Sequence, residues 1–303
     1  MSEVNPLILE DRTQIRPHVV SRAVMRANFF RLAMLGLLLL ACYLPMLIAT
    51  GRIIIADEDM AYGFFAPPVA LYLVWRQRSL LLEPTSTPSY WSVPLLAFGA
   101  LVATLAALAN SSTFSRFGFL FSVVGCLLLI GGWRALRVLL FPLSLLLFTF
   151  PIPSALYGEL TQPLQLLASR LSESALEMLG LSVLREGNVL HLTFMSLSVV
   201  EACSGLRSLV TLTFFCLVYA YFFETVNWVR AAVVILAVPS AILVNALRIT
   251  STGVLGKYNM AWTEGLYHEI VGWLAFTLGF LLVLLAHHIL RRLSRQSHQQ
   301  ITP

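Results

Sequence analysis

The sequence predicts an all-α polytopic membrane protein of about eight transmembrane helices, with an external amphipathic helix and a small β-hairpin before the sixth. Two observations carry this. Hydrophobic residues make up 58% of the 303-residue chain and charged residues only 12%, against roughly 25% charged in an ordinary soluble protein. Apolar runs of about 17–25 residues recur, each long enough to cross a bilayer as a helix. The mean hydropathy of +0.82 agrees.

The expected spans are residues 29–49, 62–76, 91–109, 117–133, 138–153, 204–223, 231–250 and 269–290. A polar stretch of 28 residues precedes the first span and no small-residue cleavage site follows it, so this span reads as an anchor and not as a cleaved signal. The second span is short and holds Pro67 and Pro68, which makes it the weakest. The chain shows no internal repeat or low-complexity tract. It divides into an N-terminal tail (1–28), one integral membrane catalytic domain (29–290) and a C-terminal tail (291–303).

Charge sets the orientation. Arg12, Arg16, Arg22, Arg26, Arg31, Arg76, Arg78, Arg134, Arg137, Arg230, Arg291, Arg292 and Arg295 flank the spans on one face, thirteen of the twenty basic residues. Arg52, Arg116, Arg170, Arg185 and Lys257 fall on the other. The positive-inside rule makes the first face cytoplasmic. Both termini are then cytoplasmic, and the segment 154–202 is external. The net charge of +5 follows from this flanking, and nucleic acid is not needed to explain it.

That external segment is the only long stretch between spans. Leu156, Leu160, Leu164, Leu167, Leu171, Ala175 and Met178 recur at three- and four-residue steps. Glu159, Gln162, Gln165, Ser169, Glu173 and Glu177 take the other side. The pattern predicts an amphipathic helix on the membrane surface, with lipid as its partner. After Gly180 the period changes. SVLRE, Gly187-Asn188 and VLHLT read as a hairpin, and MSLSVVEA alternates as a further strand. A small sheet would then deliver the chain into Cys203.

Residues 199–212 read VVEACSGLRSLVTL. Cys203 opens the sixth span at the outer face, Arg248 ends the seventh there, and His268 opens the eighth. The charge pattern that set the topology used neither the cysteine nor the histidine, yet all three fall at one depth. A thiol in the first turn of a helix meets unpaired N–H groups and the positive end of the helix dipole. Both favour the nucleophilic thiolate.

Arg207, four residues on, shares the cysteine's face and adds positive charge. Arg248 presents a fork of donors, His268 can shuttle a proton near neutral pH, and Glu264 is placed to orient its ring. Ser204 and Asn245 stand beside these groups as supporting residues. Bland roles exist for each: packing for a cysteine, snorkelling for an arginine, an interhelical hydrogen bond for Asn245. Cys42, Cys126 and Cys216 read as packing residues, and His287 and His288 as interfacial ones. His191, His268 and the acidic trio Asp57, Glu58 and Asp59 lack metal-ligand spacing, so neither a metal nor a cofactor is expected.

EACSGLRSL at 201–209 resembles the signature of the exosortases, membrane enzymes of Gram-negative bacteria. NALRITSTGVLG at 245–256, HEIVGW at 268–273, FPLSLLLFTFPIP at 141–153 and YGFFAPPVALYLVW at 62–75 are similar to the family as well. Tyr62-Gly63 stands where the family usually shows His-Gly, and the chain resembles the form without a fused C-terminal domain.

The resemblance implies a cysteine protease or transpeptidase in the inner membrane, with its active site at the periplasmic face. It would act on exported proteins whose C-terminal tail carries a Pro-Glu-Pro motif, a transmembrane helix and a basic cluster. The implied catalytic set is Cys203, Arg248 and His268, the acceptor is open, and the setting is exopolysaccharide and biofilm function. Arg248 would hold either the oxyanion or the substrate glutamate. Two other readings compete: an acyltransferase using Cys203, and a non-catalytic carrier or lipid-binding membrane protein.

Overall fold

The computed structural model describes residues 22–78, 88–199, 205–263 and 265–299. Among the described residues there are eight α-helices and one small sheet. In chain order they are α1 (Arg22–Ala56), α2 (Ala66–Arg76), α3 (Ser92–Leu108), α4 (Ser112–Leu146), α5 (Ser154–Met178), β1 (Val183–Glu186), β2 (Val189–Leu192), β3 (Ser196–Ser198), α6 (Gly205–Phe223), α7 (Asn227–Tyr258) and α8 (Gly265–Gln299).

Among the described residues, five segments are long and apolar enough to cross a membrane: Ala33–Ala56, Ser112–Thr149, Gly205–Phe223, Asn227–Tyr258 and Gly265–Arg292. The other expected spans take different forms. The second is the 11-residue α2, preceded by a 3-10 stretch over Glu58–Phe64. The third is the 17-residue α3. The fourth and fifth are a single helical run, α4, broken at Gly132 with φ 56° and ψ −156°. Only glycine enters that conformation readily, and the limb before it, residues 112–131, rises about 30 Å.

The helices fall into two compact units. One holds the chain up to Gly51 together with Pro68–Ser144; the other holds Arg52–Pro67 and everything from Leu145 onward. In the first unit, small residues let α3 and α4 lie close. A Cβ on Gly99 would stand 2.5 Å from Ser122 Oγ, and one on Gly125 2.7 Å from Leu96 Cγ. Tyr43 of α1 closes this contact, its hydroxyl 2.8 Å from Ser122 Oγ and 3.3 Å from the Gly99 carbonyl.

Two cores of the second unit lie among the described residues. Leu212, Cys216 and Ala220 of α6 meet Val229, Val233, Ala237 and Ala241 of α7 and Val283 of α8. Beyond one end of this three-helix core lies a cap of α5 and the sheet. Its centre is Ala168, Leu176, Leu181, Leu190, Leu192, Leu197 and Val199, joined by Ile249 of α7. At 32 residues, α7 is about 48 Å long, longer than a hydrocarbon layer of about 30 Å. Its C-terminal part is therefore free to serve as the post on which the cap sits.

The sheet is antiparallel in the order β1-β2-β3, with Leu184 opposite His191 and His191 opposite Ser196. The hairpin turn has Gly187 at φ +66°, the position where a two-residue turn needs positive φ. The sheet matches the sequence reading. Helix α5 matches in extent and in its outward apolar stripe, and it adds a buried face on the side expected to be polar.

Thr161, Ala168, Ser169, Ser172 and Leu176 form the buried face, and Ser172 Oγ donates to the Ala246 carbonyl of α7 at 3.0 Å. Leu156, Leu160, Leu167, Leu171 and Met178 stay exposed. The helix thus has three faces: small residues toward α7, an apolar stripe outward, and a charged edge with Glu159, Arg170 and Glu177. Small side chains win the buried face because the contact is close. A Cβ on Gly253 would stand 3.1 Å from Leu176 Cδ2.

Candidate active site

The sheet and α6 bracket the cysteine. Val199 is fully buried, and its N–H donates to the Asn188 carbonyl at 3.0 Å. The next described residue is Gly205, which opens α6. Cys203 and Ser204 lie between them, outside the described residues, as does Glu264. The backbone of His268 is described, in the first turns of α8, and its side chain is not.

What the structure does place is the frame around these positions. Asn245 and Arg248 lie one turn apart on α7. Asn245 is 3% exposed, and a Cβ on Gly205 would stand 3.1 Å from its Nδ2. Its Oδ1 is buried with no hydrogen-bond partner among the described residues. Arg248 is partly buried. A Cβ on Gly272 of α8 would stand 3.2 Å from its Cζ and Nη2.

Gly272 is four residues beyond His268, so both are on one face of α8. Through Asn245 and Arg248, α7 therefore touches the first residue of α6 and the His268 face of α8. Arg207 is the third residue of α6 and partly buried. The start of α6, two residues after Cys203 in sequence, and the α8 face of Gly272 and His268 meet the α7 face that carries Asn245 and Arg248.

A second polar cluster, at the other end of the same helices, escaped sequence reasoning. Glu224, in the α6–α7 turn, is 3% exposed, and His287 of α8 is 4% exposed. His287 Nε2 lies 2.8 Å from Glu224 Oε2, and the Tyr219 hydroxyl lies 2.9 Å from His287 Nδ1. The backbone N–H groups of Thr225 and Val226 donate to Glu224 Oε1 at 2.7 and 2.9 Å. Arg230 Nε donates to the Glu224 carbonyl at 2.7 Å, and Arg291 Nε is 4.0 Å from Oε2.

Burial alone would raise the Glu224 carboxyl. The His287 hydrogen bond and the two backbone N–H groups outweigh it and pull the pKa down to about 2. The expectation that His287 is merely interfacial is corrected here: it is a buried bridge between α6 and the α6–α7 turn. One signal was in the sequence. Glu224 is the only acidic residue between Glu201 and Glu264, and a lone carboxylate in so apolar a stretch needs a partner.

Comparison with known families now bears on this frame. The family model of the transmembrane exosortases matches residues 50–285. The chain belongs to this family. No curated protein and no solved structure matches it. Membership gives this exosortase a transpeptidase-like role in the membrane, with proteins as its substrates. The match includes the cap, all of α6 and α7, and most of α8.

Proposed function

We propose that the protein is a cysteine peptidase or transpeptidase of the inner membrane. It removes the C-terminal Pro-Glu-Pro sorting tail of exported proteins at the periplasmic face and passes the product to an acceptor, in the service of exopolysaccharide and biofilm function. One observation carries this reading. Asn245 and Arg248 tie α7 to the first residue of α6 and to the His268 face of α8. Residues widely separated in sequence thereby share one locale.

The chemistry is that of a nucleophilic thiol. The Cys203 sulfur bonds to the scissile carbonyl carbon, and the C=O π pair moves onto oxygen. Collapse restores the carbonyl and breaks the C–N bond. The departing amine takes a proton from His268, leaving a thioester. An acceptor amine or water then attacks, its proton passes to His268, and the C–S bond breaks to return the thiolate. Arg207 supports the thiolate with positive charge, with Ser204 and Glu264 as further supporting groups. Arg248 supplies a planar fork of donors for an oxyanion or a carboxylate.

The test is co-expression with a tagged membrane substrate bearing a Pro-Glu-Pro tail, followed by mass spectrometry of its new C-terminus. The expected product ends within or beside the motif, and Cys203→Ala gives none. An acyl group on the substrate, with the tail still in place, would establish the acyltransferase alternative instead.

A further inference from the structure

Asn245 is a costly choice for a buried helix face. Its amide oxygen is shielded from solvent and unpaired among the described residues. An orphaned buried acceptor is destabilising, and a leucine would fill the position without that penalty. Packing therefore does not account for the residue, but its direction does. The nitrogen end faces the first residue of α6 so closely that a side chain on Gly205 would crowd it. The opening turn of α6 brings its own unpaired N–H groups to the same place, and Gly205 is two residues past Cys203.

We infer that Asn245 is a catalytic residue whose Nδ2 donates a hydrogen bond to the scissile carbonyl oxygen as it becomes an oxyanion, alongside the amides at the start of α6. This rests on the cysteine-peptidase reading above. While the sulfur–carbon bond forms, negative charge gathers on that oxygen, and it disperses when the C–N bond breaks. Asn245 neither gains nor loses a proton. A neutral donor held on a rigid helix stabilises such charge without reorganising during the reaction. The assignment also divides the labour on α7. Arg248, whose guanidinium lies against Gly272 of α8, is left to grip a substrate carboxylate.

The experiment uses the full chain in lipid nanodiscs with a tagged Pro-Glu-Pro-tailed membrane substrate. Asn245→Leu keeps bulk and Asn245→Asp keeps shape, and both lose the donor. Each should lower kcat by about 10²–10³ and leave KM within about twofold. Gly205→Ala displaces Nδ2 from the other side and should reproduce the loss even if the Asn245 variants fold poorly. Alkylation of Cys203 by iodoacetamide, in a background where the other cysteines are alanine, should keep its rate and pH profile in Asn245→Leu and Gly205→Ala, the two variants that add no charge.

Arg248→Lys should instead raise KM, and this rise should vanish for a substrate whose motif glutamate is glutamine. Two results would overturn the assignment: kcat within about threefold of wild type in Asn245→Leu, or a shifted alkylation profile, which would put Asn245 on the thiol. Normal processing by Cys203→Ala is a different outcome. It would remove the underlying peptidase reading, and the donor role with it.

Discussion

Four cysteines have very different prospects as nucleophiles. Cys126 and Cys216 are buried in α4 and α6, and Cys42 is exposed on the apolar α1. None opens a helix, so none meets the unpaired N–H groups that favour a thiolate. Cys203→Ala should abolish tail removal while the protein still accumulates in the membrane. Cys42→Ala, Cys126→Ala and Cys216→Ala should each process at near-native rates, read as the fraction of tagged substrate cleaved. Cleavage lost from a Cys216→Ala protein that accumulates normally would move the nucleophile to mid-helix and break this argument.

At this scale the sequence offers Cys203, Arg248 and His268 as candidates because reactive residues are scarce in so apolar a chain. It marks Glu224 only as a lone acid in an apolar stretch and does not point to His287 as its partner. Their pairing bridges 63 positions and leaves no periodic trace.

Elements were legible as far as periodicity describes them. The hairpin came from alternation around Gly187-Asn188, and α5 from its three- and four-residue steps. The sequence turns the apolar stripe of α5 toward lipid, and most of its leucines are exposed. The separate small-residue face that packs on α7 is not marked by periodicity, since alanines and serines carry little hydrophobic signal. Here small residues took the protein and left the leucines outside. Residues 117–133 and 138–153 read as two spans, but the helix breaks only at Gly132, which has positive φ, and then resumes.

The Glu224 cluster makes its own prediction, because it ties α6, α7 and α8 together. The carboxyl lies at about 2, against an ordinary value of 4.5. A depressed carboxylate contributes stability that is complete above the ordinary value and is lost as pH falls toward the folded one. As far as Glu224 sets it, the thermal stability of the wild type should therefore not vary with pH above about pH 5 and should fall between there and pH 2. Removing one partner of a buried pair costs about 3–5 kcal/mol. Glu224→Gln should accordingly melt lower at pH 7 and lose much of that acid-side slope, as scanning fluorimetry in detergent would read. Equal melting and equal slopes in the two proteins would mean that the cluster holds nothing together.

For the molecule as a whole, the decisive quantity is which side of the membrane each end of the three-helix core faces. The cap and the Glu224 turn are separated by the 19 residues of α6, about 28 Å of helix and close to the thickness of a hydrocarbon layer. They therefore lie on opposite sides of the membrane. The end with the Glu224 turn carries Arg230, Arg291 and Arg292, and clustered arginine next to spans marks a cytoplasmic end. The cap end carries Arg170, Arg185 and Lys257 spread over a longer, folded segment, and Arg185 there is paired with Glu173 at 2.7 Å. A folded segment of that length weighs less in orientation than short loops do. A periplasm-active reporter fused after Glu186, in the hairpin, should therefore be active, and the same reporter after Trp228, at the start of α7, should be inactive. The two fusions differ by a single crossing, so their activities should be opposite whichever way the core points. The reverse pattern would place the Cys203 end of α6 in the cytoplasm, where an exported protein's tail does not arrive, and tail removal at the outer face would have to be abandoned.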